Sequence, residues 1–327
     1  MSGVVSRRSV AAFTLGLVAG ATSAAAGPAL GKGRAVPSAD LVTFDHPPFP
    51  FDGKVPGATP DDQDQPFLQS DPDGRRFHLA PRGGKLYEDP TYSDRRSLLF
   101  VPPRFDPRRP DAALVVFFHG NLATLQRDVA GRQGVPRQLR ASGLNAALVA
   151  PQMAVDALDS NAGHFYEPGF FGTYLREAAV HLAERADGGF TADDIDRLPV
   201  VIVAYSGGYV PTAYTLAAGN ERIAGVVLLD ALFGEEHKFA DWIARHYPRT
   251  FFVSAYSKAS APLNGELEAT LRDKGLPVEA SLPPKIGPGT LVFRAAPDAV
   301  HNDFVTAAWV RDPLAVILAR IKIGDGS

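Results

Sequence analysis

From Arg96 onward the chain alternates between short apolar runs and longer mixed stretches. The runs read "SLLFVPP", "ALVVFFHG", "NAALVAP", "VVIVAYSGG", "IAGVVLLDA", "RTFFVSAYS" and "TLVFRAA". Several are apolar at successive positions rather than at every second one. That pattern suits a strand buried on both faces of a parallel sheet. Helix-compatible stretches lie between them, at 122–141, 171–186, 207–218, 235–246 and 263–274. Asn264 is placed to cap the last of these, with Glu266 and Glu268 near the positive end of its dipole. Leu267 at the third position rules out a reciprocal capping box. Strands alternating with helices predict an α/β fold, with a mostly parallel central sheet and helices on both faces.

Upstream the rhythm is absent. Residues 35–75 are rich in Pro, Asp and Gly, as in "FDHPPFPFDGKVPGATPDDQDQPF". Such a composition predicts an extended or irregular arm that lies on the domain or is partly disordered. The first residues read as a targeting segment. Arg7 and Arg8 precede an uncharged Ala/Gly/Leu-rich stretch, and small residues follow at Ala24 to Ala26. That is the layout of an export signal, and the arginine pair fits the twin-arginine type. The other reading is an uncleaved anchor, but the apolar run is shorter than the roughly 20 residues that a span requires. The expected organisation is an export signal over 1–26, a Pro-rich arm with the first strands over 27–95, and the main domain over 96–327. No internal repeat is visible.

Composition narrows the function. The chain has 327 residues and a formal net charge of -3, so no basic stripe argues for a nucleic-acid partner. It has no cysteine. Disulfides, a thiolate zinc site and a cysteine nucleophile are therefore excluded. No Gly-rich phosphate loop and no H-E-x-x-H spacing is present, so neither a nucleotide cofactor nor a metal is expected.

The candidate chemistry sits at strand ends, where open α/β sheets bind ligands. "VVFFHGN" ends in His119, Gly120 and Asn121. "VVIVAYSGG" ends in Ser206, "VVLLDALFG" carries Asp230, and "LVFRAAPDAVHNDF" presents His301. Taken alone, Ser-Gly-Gly after a strand is also consistent with a plain turn. A serine hydroxyl needs a base within hydrogen-bond reach to act as a nucleophile, and a His oriented by an acid supplies one.

In this order of Ser, Asp and His, and in the stretch "AYSGG", the chain resembles the α/β-hydrolase family. The resemblance covers roughly 97–321. Ala204 departs from the family's G-x-S-x-G elbow by a single methyl, giving A-x-S-x-G. The resemblance implies a catalytic domain over 96–327 with Ser206 as nucleophile, His301 as base and Asp230 as acid. It implies an oxyanion hole formed by the backbone amides of Asn121 and Gly207, the Asn121 side chain being a further candidate donor. The family often takes its acid from the loop after the strand that "RTFFVSAYS" corresponds to. Here that loop, "AYSKASAPLNG", holds no carboxylate, so Asp230 on the preceding strand is the candidate. The competing role for Asp230 is a helix N-cap, and Glu235, Glu236 and Asp298 are the reserves.

The aromatic loop "DSNAGHFYEPGFFGTY" offers His164, Phe165, Tyr166 and Phe170 as walls of a substrate pocket, with Phe171 beside them. Packing of the next helix is the competing role. The expected protein is an exported, periplasmic or secreted serine hydrolase acting on a small-molecule carboxylic ester without a cofactor. After signal cleavage it would keep no stable membrane span. An amidase or peptidase with the same triad, or a non-catalytic binding protein retaining the fold, are the alternatives.

Overall fold

A computed structural model describes residues 39–57, 62–81, 83–219 and 222–324. Each of the seven apolar runs forms a strand of one sheet. They are β2 (Arg96–Phe100), β3 (Ala113–Phe118), β4 (Ala146–Pro151), β5 (Val200–Tyr205), β6 (Ile223–Leu229), β7 (Phe251–Tyr256) and β8 (Leu291–Ala295). An eighth, β1 (Asp40–Thr43), comes from the arm and pairs antiparallel with β2. The sheet order is β1-β2-β4-β3-β5-β6-β7-β8. From β4 to β8 every neighbouring pair is parallel, and β2 runs antiparallel to β4.

Continuous apolarity is explained by two separate cores. Leu114, Val116, Phe118, Val200, Ile202 and Ala204 face one side. Val115, Phe117, Val201, Val203 and Tyr205 face the other. Alternate residues of a strand point to opposite faces, so a strand feeding both cores has no polar positions left. The first face is covered by α2 (Phe170–Arg185), α3 (Tyr209–Ala217), α4 (Glu236–His246) and α5 (Ala261–Asp273). The second is covered by α1 (Val135–Ser142), α6 (Pro313–Arg320) and a π-helical turn at Leu125–Arg132. The α/β class, the mostly parallel sheet and its two helical layers are thus as the pattern predicts.

Two local expectations are corrected. The stretch 122–141 is not one helix, because Gly134 sits in the left-handed region at φ 58° and separates the π-helical turn from α1. Asn264 does not cap α5. It lies fully buried within the helix, where its Oδ1 accepts from Ser254 Oγ (2.6 Å) and its Nδ2 donates to the Ser260 carbonyl (2.8 Å). Its amide is needed by a buried hydroxyl of β7, a demand that a one-dimensional pattern does not reveal.

The described residues of the arm lie on the domain, one of the two outcomes its composition allows. The described residues between 39 and 95 belong to the same compact unit as the sheet. Phe49, Phe51 and Phe67 are buried against Tyr92 and the aromatic loop at 163–166. The Glu177 carboxylate on α2 accepts the backbone N–H groups of Asp45 and His46. The export-signal segment 1–26 lies outside the described residues.

Candidate active site

Four strand ends build the site. Parallel pairing sets Tyr205 beside Leu229 and Leu229 beside Ala255, so Ser206 and Asp230 leave adjacent strands at the same level. Ser206 has φ 52°, an uncommon conformation for a residue with a side chain, and it opens a short 3₁₀ turn that leads into α3. A strained turn of this kind holds the hydroxyl out above the sheet edge.

Space around the turn explains the small residues. A Cβ on Gly208 would collide with the Phe118 carbonyl, and one on Gly120 would lie 2.7 Å from Ser206 Cβ. A Cβ on Gly207 would strike the Asn121 and Ser160 side-chain oxygens. Ala204, two residues before the serine, is wholly buried in the core on the α3 side, where its methyl is accommodated.

His301 stands between serine and acid. Its Nε2 is 2.8 Å from Ser206 Oγ and its Nδ1 is 2.6 Å from Asp230 Oδ2. Asp230 is fully buried, and burial alone would raise its pKa. Hydrogen bonds from His301, the Ser260 hydroxyl and the Ser257 backbone N–H (2.8 Å) outweigh burial and hold it below the usual carboxylate range. An ionised Asp230 accepts only, so His301 carries its proton on Nδ1 and offers a lone pair on Nε2 to the serine O–H. The ring is clamped by stacking on Tyr205 (centroids 5.2 Å apart) and by the edge of Phe233 (5.7 Å).

The loop after β3 presents the second component. His119 is buried, and desolvation pushes its pKa down, so the imidazole is neutral. Its Nε2 accepts the Met153 backbone N–H (2.9 Å), which leaves the proton on Nδ1 to donate to the Gly120 carbonyl (2.8 Å). That carbonyl shares a peptide plane with the Asn121 N–H, and in a trans peptide the two point in opposite directions. Fixing the carbonyl therefore fixes the direction of the Asn121 N–H. This N–H has no backbone or side-chain acceptor among the described residues. The Asn121 side-chain oxygen accepts from Ser160 Oγ (2.9 Å), and it packs against Gly207, where a Cβ would lie 2.3 Å from it.

Ser206, His301, Asn121 and Gly207 line one cavity of about 330 Å³, within the usual size range for small-molecule sites. His164, Phe165, Tyr166 and Phe170 are not among its lining residues. His164 stacks on Phe170 (4.5 Å) and bonds Glu167, Phe165 packs on Phe118, and Tyr166 meets Tyr214 edge-on. Phe171 is buried against Phe165 and Phe118. The arm meets this cluster through Phe51, against His164 and Tyr166, and through His46, against Phe170, so the cluster helps to pack the arm onto the domain. Of the reserve acids, Glu235 bonds Lys238 (2.6 Å), Glu236 opens α4 and Asp298 is exposed. None of them bonds His301.

Several site residues escape sequence reasoning. Ser257 and Ser260 lie in the very loop that lacks a carboxylate, and they serve the carboxylate of the neighbouring strand. Tyr205 immediately precedes Ser206 and Phe233 lies three residues after Asp230, and that closeness in sequence is the signal that could have found them.

No family model matches the chain, and no curated protein matches it. Solved structures do. One is a serine-to-alanine mutant of the feruloyl esterase module from Clostridium thermocellum, complexed with sinapinate. It is 16% identical, the match covers 85% of this chain and 96% of that one, and the TM-score is 0.46. A fluorophosphonate-binding serine hydrolase of Staphylococcus aureus is 13% identical, with 71% and 94% covered and a TM-score of 0.41. An S-formylglutathione hydrolase from Agrobacterium tumefaciens is 13% identical, with 82% and 99% covered and a TM-score of 0.41.

Proposed function

We propose that this protein is a serine hydrolase that cleaves carboxylic esters through a covalent acyl-Ser206 intermediate. The observation that carries this reading is the continuous line Ser206–His301–Asp230, with contacts of 2.8 and 2.6 Å. Ser206 Oγ attacks the ester carbonyl as His301 Nε2 takes its proton. Asp230 stays ionised and stabilises the imidazolium. The Asn121 and Gly207 amides receive the tetrahedral oxyanion, to which preorganised donors contribute more than to the ground-state carbonyl. His301 then protonates the departing alcohol. Water repeats the sequence and releases the acid.

An ester is favoured over an amide as substrate because an alkoxide leaves more readily than an amide anion. A small-molecule ester suits the dimensions of the cavity. The experiment is a panel of p-nitrophenyl esters and matching anilides, with Ser206→Ala as control. Ester cleavage that is lost in Ser206→Ala supports the reading. Cleavage of anilides alone would replace it with an amidase, and no cleavage of either would leave a binding protein.

The same proposal extends to location. The Arg7-Arg8 segment suits twin-arginine export to the periplasm or beyond. No described helix is long and apolar enough to cross a membrane. Substituting Arg7→Lys and Arg8→Lys together should hold the protein in the cytoplasm in a cell-fractionation assay, and unchanged export would remove this part of the reading.

A further inference from the structure

The cavity around Ser206 contains one feature that ester hydrolysis does not require. Arg132, at the end of the π-helical turn, is its one Arg or Lys among the described residues, and no carboxylate lines it. The Arg132 Nε donates to Asp128 Oδ1 (3.0 Å). Its two terminal NH₂ groups have no hydrogen-bond partner among the described residues, and its side chain is 47% exposed.

Arg127 shows the contrast. It shares the same Asp128, but its terminal nitrogen also donates to the Leu122 carbonyl (2.7 Å) and to Asp156 (2.9 Å). Asp128 is thereby occupied by both arginines and by the Thr124 backbone N–H. It anchors the stem of Arg132 and leaves the outer face of that guanidinium open. That face offers parallel N–H donors, whose geometry matches a carboxylate. Beside it, Leu122 and Leu158 are 49% and 45% exposed, and both line the cavity. Burial pushes the neighbouring Tyr205 phenol up to about 12 even though the Arg132 charge opposes the rise, so Tyr205 stays a neutral neighbour at physiological pH.

We infer that Arg132 is a specificity-determining residue that binds a carboxylate carried by the substrate, whose apolar body lies along Leu122 and Leu158. The inference rests on the ester-hydrolase reading and names its substrate class, a small ester with a free carboxylate. An alternative role for Arg132, a salt bridge that stabilises the π-helical turn, would not discriminate between substrates of different charge.

The test uses two matched pairs of esters on the full-length protein. Mono-p-nitrophenyl glutarate against p-nitrophenyl pentanoate places the charge on the acyl side. 4-Acetoxybenzoate against 4-acetoxybenzamide places it on the alcohol side. In at least one pair the anionic ester is cleaved with the higher kcat/KM, through a lower KM. Arg132→Gln lowers that value by about tenfold or more, the scale of one charge-assisted hydrogen bond, and leaves the neutral ester within about twofold. Arg132→Lys restores part of the preference. Cleavage of both pairs with no charge preference, or with equal losses in Arg132→Gln, overturns the inference and leaves the hydrolase reading intact. Cleavage of none of the four esters removes both.

Discussion

His301 Nδ1 lies 2.6 Å from Asp230 Oδ2, while the other oxygen of that carboxylate is held by Ser257 and Ser260. One oxygen therefore orients the imidazole and the other fixes the acid to the loop after β7. Replacing Asp230 by Asn retains the shape but removes the charge and permits the wrong histidine tautomer. Asp230→Asn should lower kcat on a p-nitrophenyl ester by roughly 10³–10⁴-fold, with KM little changed. Steady-state kinetics on the purified variant test this, and full activity would mean that another acid serves.

The same carboxylate gives a pH dependence of stability. Its pKa is lower folded than unfolded, since its hydrogen bonds exceed the effect of burial. Its contribution is present above the unfolded value, about 3.9 for an ordinary Asp, and is lost as pH falls through the depressed folded value. Urea midpoints should therefore drop on acidification below about pH 4. The drop should be shallower in Asp230→Asn, which has no proton to take up there.

His119 should act on rate through the Gly120–Asn121 peptide. Without its Nδ1–H the Gly120 carbonyl loses its partner and the Asn121 N–H loses its fixed direction. His119→Ala should reduce kcat by about 10–100-fold, less than the roughly 10²–10³-fold typical of deleting an oxyanion donor outright. KM should change little. A proportionate rise in KM with unchanged kcat would assign His119 to substrate binding instead.

Ala204 invites restoration of the more familiar glycine, and the structure predicts that this gains nothing. Its methyl is buried in a filled core, and glycine within a strand costs about 0.5–1 kcal/mol of conformational entropy. Ala204→Gly should lower the unfolding free energy by about 1 kcal/mol and leave kcat unchanged. Gly208→Ala should be the damaging change, because its Cβ meets the backbone of Phe118. Denaturant melts of the two variants separate these effects.

The sheet was legible because a strand buried on both faces cannot hide its apolar run. Its catalytic-type residues were legible because Ser206, Asp230 and His301 each follow such a run. What escaped depends on contacts between distant segments. The β1 sequence "DLVT" has too few residues to show a period, and only pairing with Arg96–Leu99 makes it a strand. Gly134 reads as an ordinary helix residue until its positive φ breaks the stretch in two. Asn264 has the letter of a cap but the environment of a core residue. The aromatics at 164–170 have the composition of a pocket wall, yet they pack on the arm through His46 and Phe51 and on the core through Phe118 and Tyr214. Arg132 carries no motif at all, and its place in the cavity follows from the π-helical turn.

Ester hydrolysis by this site depends above all on Ser206 being an activated nucleophile. Fluorophosphonate labelling followed by peptide mapping addresses it without any assumption about the natural substrate. A single stoichiometric adduct is expected on Ser206, absent in Ser206→Ala and formed far more slowly in His301→Ala. A folded wild-type protein that takes up no label at Ser206, or labels equally fast without His301, would contradict it.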